Sequence, residues 1–80
     1  MKLIIRNLSR ETTEEQLRRL FQAYGDVESC DLVLDKVTGK SKGFGFVEMP
    51  NLKHAKYAIK NLNDKTIANS RIRVKVAEEK

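Results

Sequence analysis

Between a basic loop and a proline, the stretch Lys42-Gly43-Phe44-Gly45-Phe46-Val47-Glu48-Met49 alternates its residue types with a period of two. A strand points successive side chains to opposite faces. Phe44 and Phe46 therefore share one face, and Gly45 and Val47 share the other. Only one of these faces can be core. If the glycine–valine face is buried, two large aromatic rings are left toward solvent. Burying a phenylalanine is worth roughly 1.5–3 kcal/mol, so a small domain that forgoes this twice needs a use for the rings.

The rest of the chain decides which face is inside. Residues 2 to 6 form a short strand. Thr12 with Glu15 fits a capping box at a helix start. Leu17, Leu20, Phe21 and Tyr24 follow at helical spacing, and Gly25 is the expected stop, in the left-handed conformation. A second strand covers about residues 27 to 34, with Cys30, Leu32 and Leu34 on one face. A turn-rich basic loop with Gly39 as turn residue leads into the third strand, residues 43 to 49, which Pro50 ends. Asn51 is the expected N-cap of a second helix through Leu62. Its apolar stripe is Leu52, Ala55, Ala58, Ile59 and Leu62. Residues 63 to 70 are loop with a short hairpin at Thr66-Ile67, and residues 71 to 77 are the last strand. Tyr24 is expected in the core, Tyr57 at most half-buried, and His54 exposed on its helix.

The order is β-α-β-β-α-β. Two helices with one apolar stripe each can cover only one face of a four-stranded sheet. The fold class is thus α+β, a ferredoxin-like βαββαβ sandwich with a four-stranded antiparallel sheet and two helices on one face. Its expected core is Leu3, Ile5, Cys30, Leu32, Val47, Met49, Ile72, Val74 and Val76. The opposite register then lies open: Ile4, Arg6, Asp31, Val33, Lys42, Phe44, Phe46, Glu48, Arg71, Arg73 and Lys75. Rings flanked by cations suit unpaired nucleobases and their phosphates.

Charge placement agrees. Of 80 residues, the first 35 carry five basic and seven acidic side chains, while residues 36 to 80 carry eleven and four. A basic half suggests a polyanionic partner. No apolar run approaches the ~18 residues of a membrane-spanning helix, so no membrane partner is expected. The N-terminus lacks the pattern of a secretory signal. One cysteine allows no internal disulfide and no multi-cysteine metal site. Cytoplasmic location is the expectation.

Lys42 to Met49 resembles the ribonucleoprotein octamer of the RNA recognition motif (RRM) family: Lys/Arg, Gly, Phe/Tyr, Gly/Ala, Phe/Tyr, an aliphatic residue, any residue, Phe/Tyr. Leu3-Ile4-Ile5-Arg6-Asn7-Leu8 is similar to the family's hexamer. The resemblance covers essentially the whole chain and implies a single RRM domain over residues 1–80, closest in organisation to small stand-alone members found in bacteria. It implies a single-stranded RNA-binding module, with single-stranded DNA as a further ligand, in a post-transcriptional or RNA-chaperone role. It implies no catalysis, cofactor, metal or small-molecule substrate, and a monomer. By position, Phe46 would stack on a base, Phe44 would meet ribose and Lys42 phosphate. Ile4, Arg6, Glu48, Arg71, Arg73, Lys75 and Ala77 complete the expected RNA-binding set. Two departures stand out. Ile4 occupies the hexamer position usually held by a stacking aromatic, and Met49 replaces the octamer's last aromatic on the core side.

Other functions on this architecture fit less well. An acylphosphatase-like enzyme needs a glycine-rich anion loop after the first strand, where this chain has Asn7-Leu8-Ser9-Arg10. A metallochaperone needs a Cys-x-x-Cys pair. A protein-interaction domain using the same exposed sheet face is the alternative, and the surrounding cations argue for nucleic acid over it.

Overall fold

The computed structural model describes residues 1–77, so the last three residues of the 1–80 domain span lie outside the described residues. Strand β1 (Lys2–Arg6) leads to helix α1 (Glu14–Gln22), then strands β2 (Ser29–Leu34) and β3 (Ser41–Glu48), and helix α2 (Leu52–Leu62). A two-stranded ribbon of β4 (Thr66–Ile67) and β5 (Ser70–Arg71) follows, and β6 (Arg73–Val76) ends the described fold. The main sheet has the order β2-β3-β1-β6, and every neighbouring pair is antiparallel.

The helices start where side chains can satisfy their free amides. In α1 the cap is Thr13, not Thr12. The Thr13 Oγ accepts from the Gln16 amide at 3.1 Å, and the Gln16 side chain accepts from the Thr13 amide at 3.1 Å. Thr12 is buried instead, its amide closing a turn onto the Ser9 carbonyl. Thr-Thr followed by Glu-Gln satisfies the capping-box spacing in two registers, and burial of Thr12 selects the second. Asn51 caps α2 as expected, its Oδ1 accepting from Lys53 and His54.

The termination of α1 differs from expectation. Ala23 is the C-cap, in right-handed conformation. Gly25 lies two residues beyond, with φ +159° rather than a left-handed value, and a Cβ there would collide with the imidazole of His54. That imidazole is half-buried rather than exposed, and its Nδ1 accepts from the Asp26 amide at 3.3 Å. His54 thus ties the start of α2 to the segment after α1.

Leu3, Ile5, Val47 and Val74 from the strands, with Met49 and Ile72 beside them, meet Leu17 and Phe21 of α1 and Ala55, Ala58 and Leu62 of α2 in one core. Cys30 and Leu8 complete it. Seven expected core or stripe positions are not fully buried. Val76 is 45% exposed because β6 is an edge strand, Leu52 is 54% exposed at the first turn of α2, and Leu34 is 51% exposed at the end of edge strand β2. Leu32 is half-buried and packs on the core's margin, as do Leu20, Ile59 and Tyr24.

Candidate nucleic-acid interface

Core packing fixes which side of β3 is open. Val47 and Met49 are fully buried under the helices. Alternation then places Lys42, Phe44, Phe46 and Glu48 on the far side. Gly45 is needed between the phenylalanines because a Cβ there would come within 2.6 Å of the Asp31 carbonyl and 3.2 Å of Leu17. At that point α1 and β2 approach the backbone of β3 too closely for any side chain.

Gly43 has a different role. Pairing of β2 with β3 runs from Leu32 opposite Gly45 to Leu34 opposite Ser41, so β3 bulges between these points. Gly43 sits in the bulge at φ +88°, where an L side chain is strained. The bulge turns its carbonyl outward to accept from the Leu8 amide at 2.8 Å. The loop that follows β1 is thereby docked beside Phe44.

The two rings form an edge-to-face pair, with centroids 6.2 Å apart and planes at 84°. Both are half-buried, since they shield one another's edges. Phe46 lies directly opposite Ile4 on β1 and Asp31 on β2. The Lys2 ammonium stands 4.9 Å from the Phe46 centroid, within cation–π range. Ile4 in turn faces Lys75 across β6, and Arg6 faces Arg73. Six strand positions therefore converge: Lys2, Ile4, Arg6, Phe44, Phe46 and Lys75.

Two shallow clefts meet at Ile4 and Arg6. One, of about 410 Å³, is lined also by Asn7, Leu8, Arg10, Lys42, Gly43 and Phe44. The other, of about 330 Å³, is lined also by Arg73, Lys75 and Val76. Each has an apolar floor and cationic walls. An aromatic ring fits that floor by stacking, and phosphates fit the rim.

Some expected site residues are less free than others. Arg73 Nε is 3.2 Å from Asp64, with both side chains about half exposed, so a phosphate there must share the guanidinium. Glu48 lies 3.2 Å from the Met1 ammonium, which offsets a carboxylate otherwise unfavourable to phosphate. Ala77 continues the edge ladder, its amide donating to the Lys2 carbonyl at 2.8 Å. Arg71 belongs to the β4–β5 ribbon, paired with Thr66, and not to the main sheet. The last strand divides at Ile72, whose amide and carbonyl bond to Lys65 and Asp64. Asn7, at φ +61°, donates its side-chain amide to the Arg71 carbonyl at 2.7 Å and holds the ribbon against the end of β1.

Sequence reasoning missed two contributors. Lys2 precedes Ile4 by two residues, so the strand period alone places it on the open face. Arg10 lines the cleft beside Phe44 and a second cleft formed with Asp35, Thr38, Lys40, Ser41 and Lys42. No periodicity marks Arg10, because the loop reaches the sheet only through the bulge at Gly43.

With this geometry in place, comparison with known proteins gives one answer. The family model described as "RNA recognition motif" matches residues 3–73. The chain belongs to the RNA recognition motif family. Among curated relatives, UBP1-associated protein 2C of Arabidopsis thaliana is 52% identical over 64 residues, or 80% of this chain and 16% of that protein. UBP1-associated protein 1A of the same organism is 49% identical over 74% of this chain and 17% of its own length. The chain thus spans about a sixth of these relatives. Among solved structures, RNA binding protein PG1 superposes with a TM-score of 0.94 at 40% identity, covering 100% of this chain and 96% of that one. A Sex-lethal protein/RNA complex gives 0.92 at 34% identity, covering 99% and 47%. The ferredoxin-like α+β fold read from the sequence stands.

Proposed function

We propose that the open face of the sheet binds single-stranded RNA by base stacking and phosphate contact, and that the domain carries no chemistry of its own. The observation that carries this reading is the perpendicular Phe44–Phe46 pair, 6.2 Å apart and placed among Lys2, Arg6, Lys42 and Lys75. Phe46 offers a face for one base and Phe44 meets the adjoining sugar. Lys42, Arg6 and Lys75 take phosphates, and Arg73 takes one in exchange with Asp64. Ile4 gives an apolar floor where relatives stack a ring. Sequence-tolerant stacking is worth about 1–3 kcal/mol per base.

Support comes from the Sex-lethal protein solved with RNA and from the Rna15 RRM solved with bound RNA (GU), the latter 26% identical with a TM-score of 0.88. An exposed aromatic face could also dock a protein, but the cations on both sides of it favour a polyanion. The test is an amide NMR titration with short single-stranded RNA pools of differing base composition, repeated with DNA. Shifts are expected at Ile4, Arg6, Lys42 to Glu48 and Arg73 to Ala77. A folded domain with no shift at these positions overturns the reading.

A further inference from the structure

Helix α2 presents a surface that the sheet site does not use. Its eleven residues include three lysines and no acid. At about 100° per residue, Lys53, Lys56 and Lys60 fall within an arc of roughly 60°, with Tyr57 about 40° beyond Lys53. All four are exposed, Tyr57 at 56%. None of the ion pairs seen among the described residues involves these lysines. Helix α1 is different: it mixes Glu14 and Glu15 with Arg18 and Arg19, and Arg19 is paired to Glu15 at 2.7 Å. The α2 charge is thus concentrated and unpaired, where α1's is self-neutralised.

Tyr57 is held in place. The Tyr24 ring packs against its ring in an edge arrangement, centroids 5.4 Å apart. The helix's apolar stripe, Ala55, Ala58 and Leu62, is spent in the core. Of its large apolar side chains only Leu52 and Tyr57 stay exposed, on either side of the lysines, which is too little for the apolar face that an interfacial helix sinks into lipid. What remains is a row of point cations beside one fixed ring, which is suited to a phosphate backbone. Because the core side of α2 faces the sheet, this row lies on the side of the molecule away from Phe44 and Phe46.

We propose that α2 forms a second, sequence-independent site for an RNA phosphate backbone, so that one domain holds RNA on both faces. Lys53, Lys56 and Lys60 meet phosphates, and Tyr57 packs beside a base or ribose. The two-face arrangement rests on the sheet reading, whereas phosphate contact by α2 does not.

The test uses the folded chain, a short oligouridylate that fills the sheet alone, and a long one. Amides of Lys53 to Asn61 should shift with the long RNA and not with the short. The variant Lys53→Gln/Lys56→Gln/Lys60→Gln should lose those shifts and keep the sheet shifts. Its log–log salt dependence for long RNA should flatten by roughly 2, at about 0.7 per phosphate. Unmoved α2 amides in the wild type, or an unchanged salt slope in the variant, overturn the proposal. So does a response of α2 to anionic phospholipid vesicles but not to RNA. Shifts on α2 with none on the sheet would leave this site standing and remove the sheet reading.

Discussion

Ile4 lies directly across the β1–β3 ladder from Phe46. It holds the central position on the open face, between Phe46 and Lys75, where an aromatic would complete a stacking platform. Ile4→Phe should therefore raise affinity for single-stranded RNA by the worth of one added stack, about 1–3 kcal/mol. The fold should tolerate the change, since the side chain is only half-buried and the clefts on either side give it room. Fluorescence anisotropy with one RNA pool decides it. Equal affinity would mean that bases pass over β3 without resting on β1.

Phe46→Ala removes the ring that Lys2, Ile4, Asp31 and Phe44 surround. RNA affinity should fall by about 1–3 kcal/mol. The thermal midpoint should drop only modestly, because the ring is outside the core. Lys2 supplies a cation–π contact worth about 0.5–1 kcal/mol at an exposed site. In a double-mutant cycle for stability, Lys2→Ala and Phe46→Ala should couple by about that amount. Full additivity would mean that the 4.9 Å approach carries no energy.

The two octamer glycines should fail in different ways. In Gly45→Ala the added Cβ meets the Asp31 carbonyl, a backbone atom that cannot move without distorting the β2–β3 ladder. Overpacking of this kind costs about 1–3 kcal/mol. Gly43→Ala meets only a 3.3 Å contact to the Leu8 carbonyl, but must hold φ +88°. Its penalty is backbone strain of roughly 1–2 kcal/mol. Chemical denaturation should show both losses. Gly43→Ala should in addition shift the Leu8 amide resonance, because the Leu8–Gly43 hydrogen bond lies at the bulge.

What could be read from the chain, and what could not, follows from the range of each signal. The burial of Val47 and the placement of Phe44 and Phe46 on the open face were legible because a strand's period is short and unambiguous. The Thr13 cap was not, since two threonines and two acceptors fit the same spacing and only the burial of Thr12 separates them. Val76 and Leu52 keep their period but lie where an edge strand and a first helical turn run out of cover. Arg71 left the expected strand because Ile72 pairs with Asp64 and Lys65, a contact that residue types do not announce. Arg10 reaches the site through the β3 bulge, which also leaves no mark in the sequence pattern.

Asp35 orders the loop that carries Lys36 and Lys40 into β3. Its Oδ1 accepts from the amides of Val37 at 2.7 Å and Thr38 at 3.1 Å. These bonds, the Thr38 one foremost, hold the carboxyl below its ordinary value of 3.8. A depressed folded pKa contributes stability that is present above the unfolded value and lost as pH falls through the folded one. The amide shifts of Val37 and Thr38 should accordingly titrate together at a pH below 3.8. Asp35→Asn should flatten that titration, and a midpoint at or above 3.8 would mean the loop bonds do not form in solution.

Cys30 works in the opposite direction. Burial, and next the charge of Glu14, push its thiol from 9.0 up to about 11. Its Sγ approaches the Glu14 carbonyl at 3.6 Å, a geometry that suits the thiol as donor and opposes the thiolate. Below pH 9 the thiol is protonated in folded and unfolded chains alike, and the preference for it is fully available to stability. Between pH 9 and 11 the unfolded chain ionises first and binds fewer protons, so stability falls as pH rises. The loss attributable to this group is on the order of 2 kcal/mol, from about two pKa units. Denaturation midpoints followed across this window for the wild type and Cys30→Ala should converge as pH rises, since the variant lacks the ionising group and other titrating residues are common to both. Alkylation by iodoacetamide at neutral pH should likewise be slow in the native protein and fast once it unfolds. Rapid native labelling would show an ionised, accessible sulfur, and with it a strand β2 open to solvent at its start.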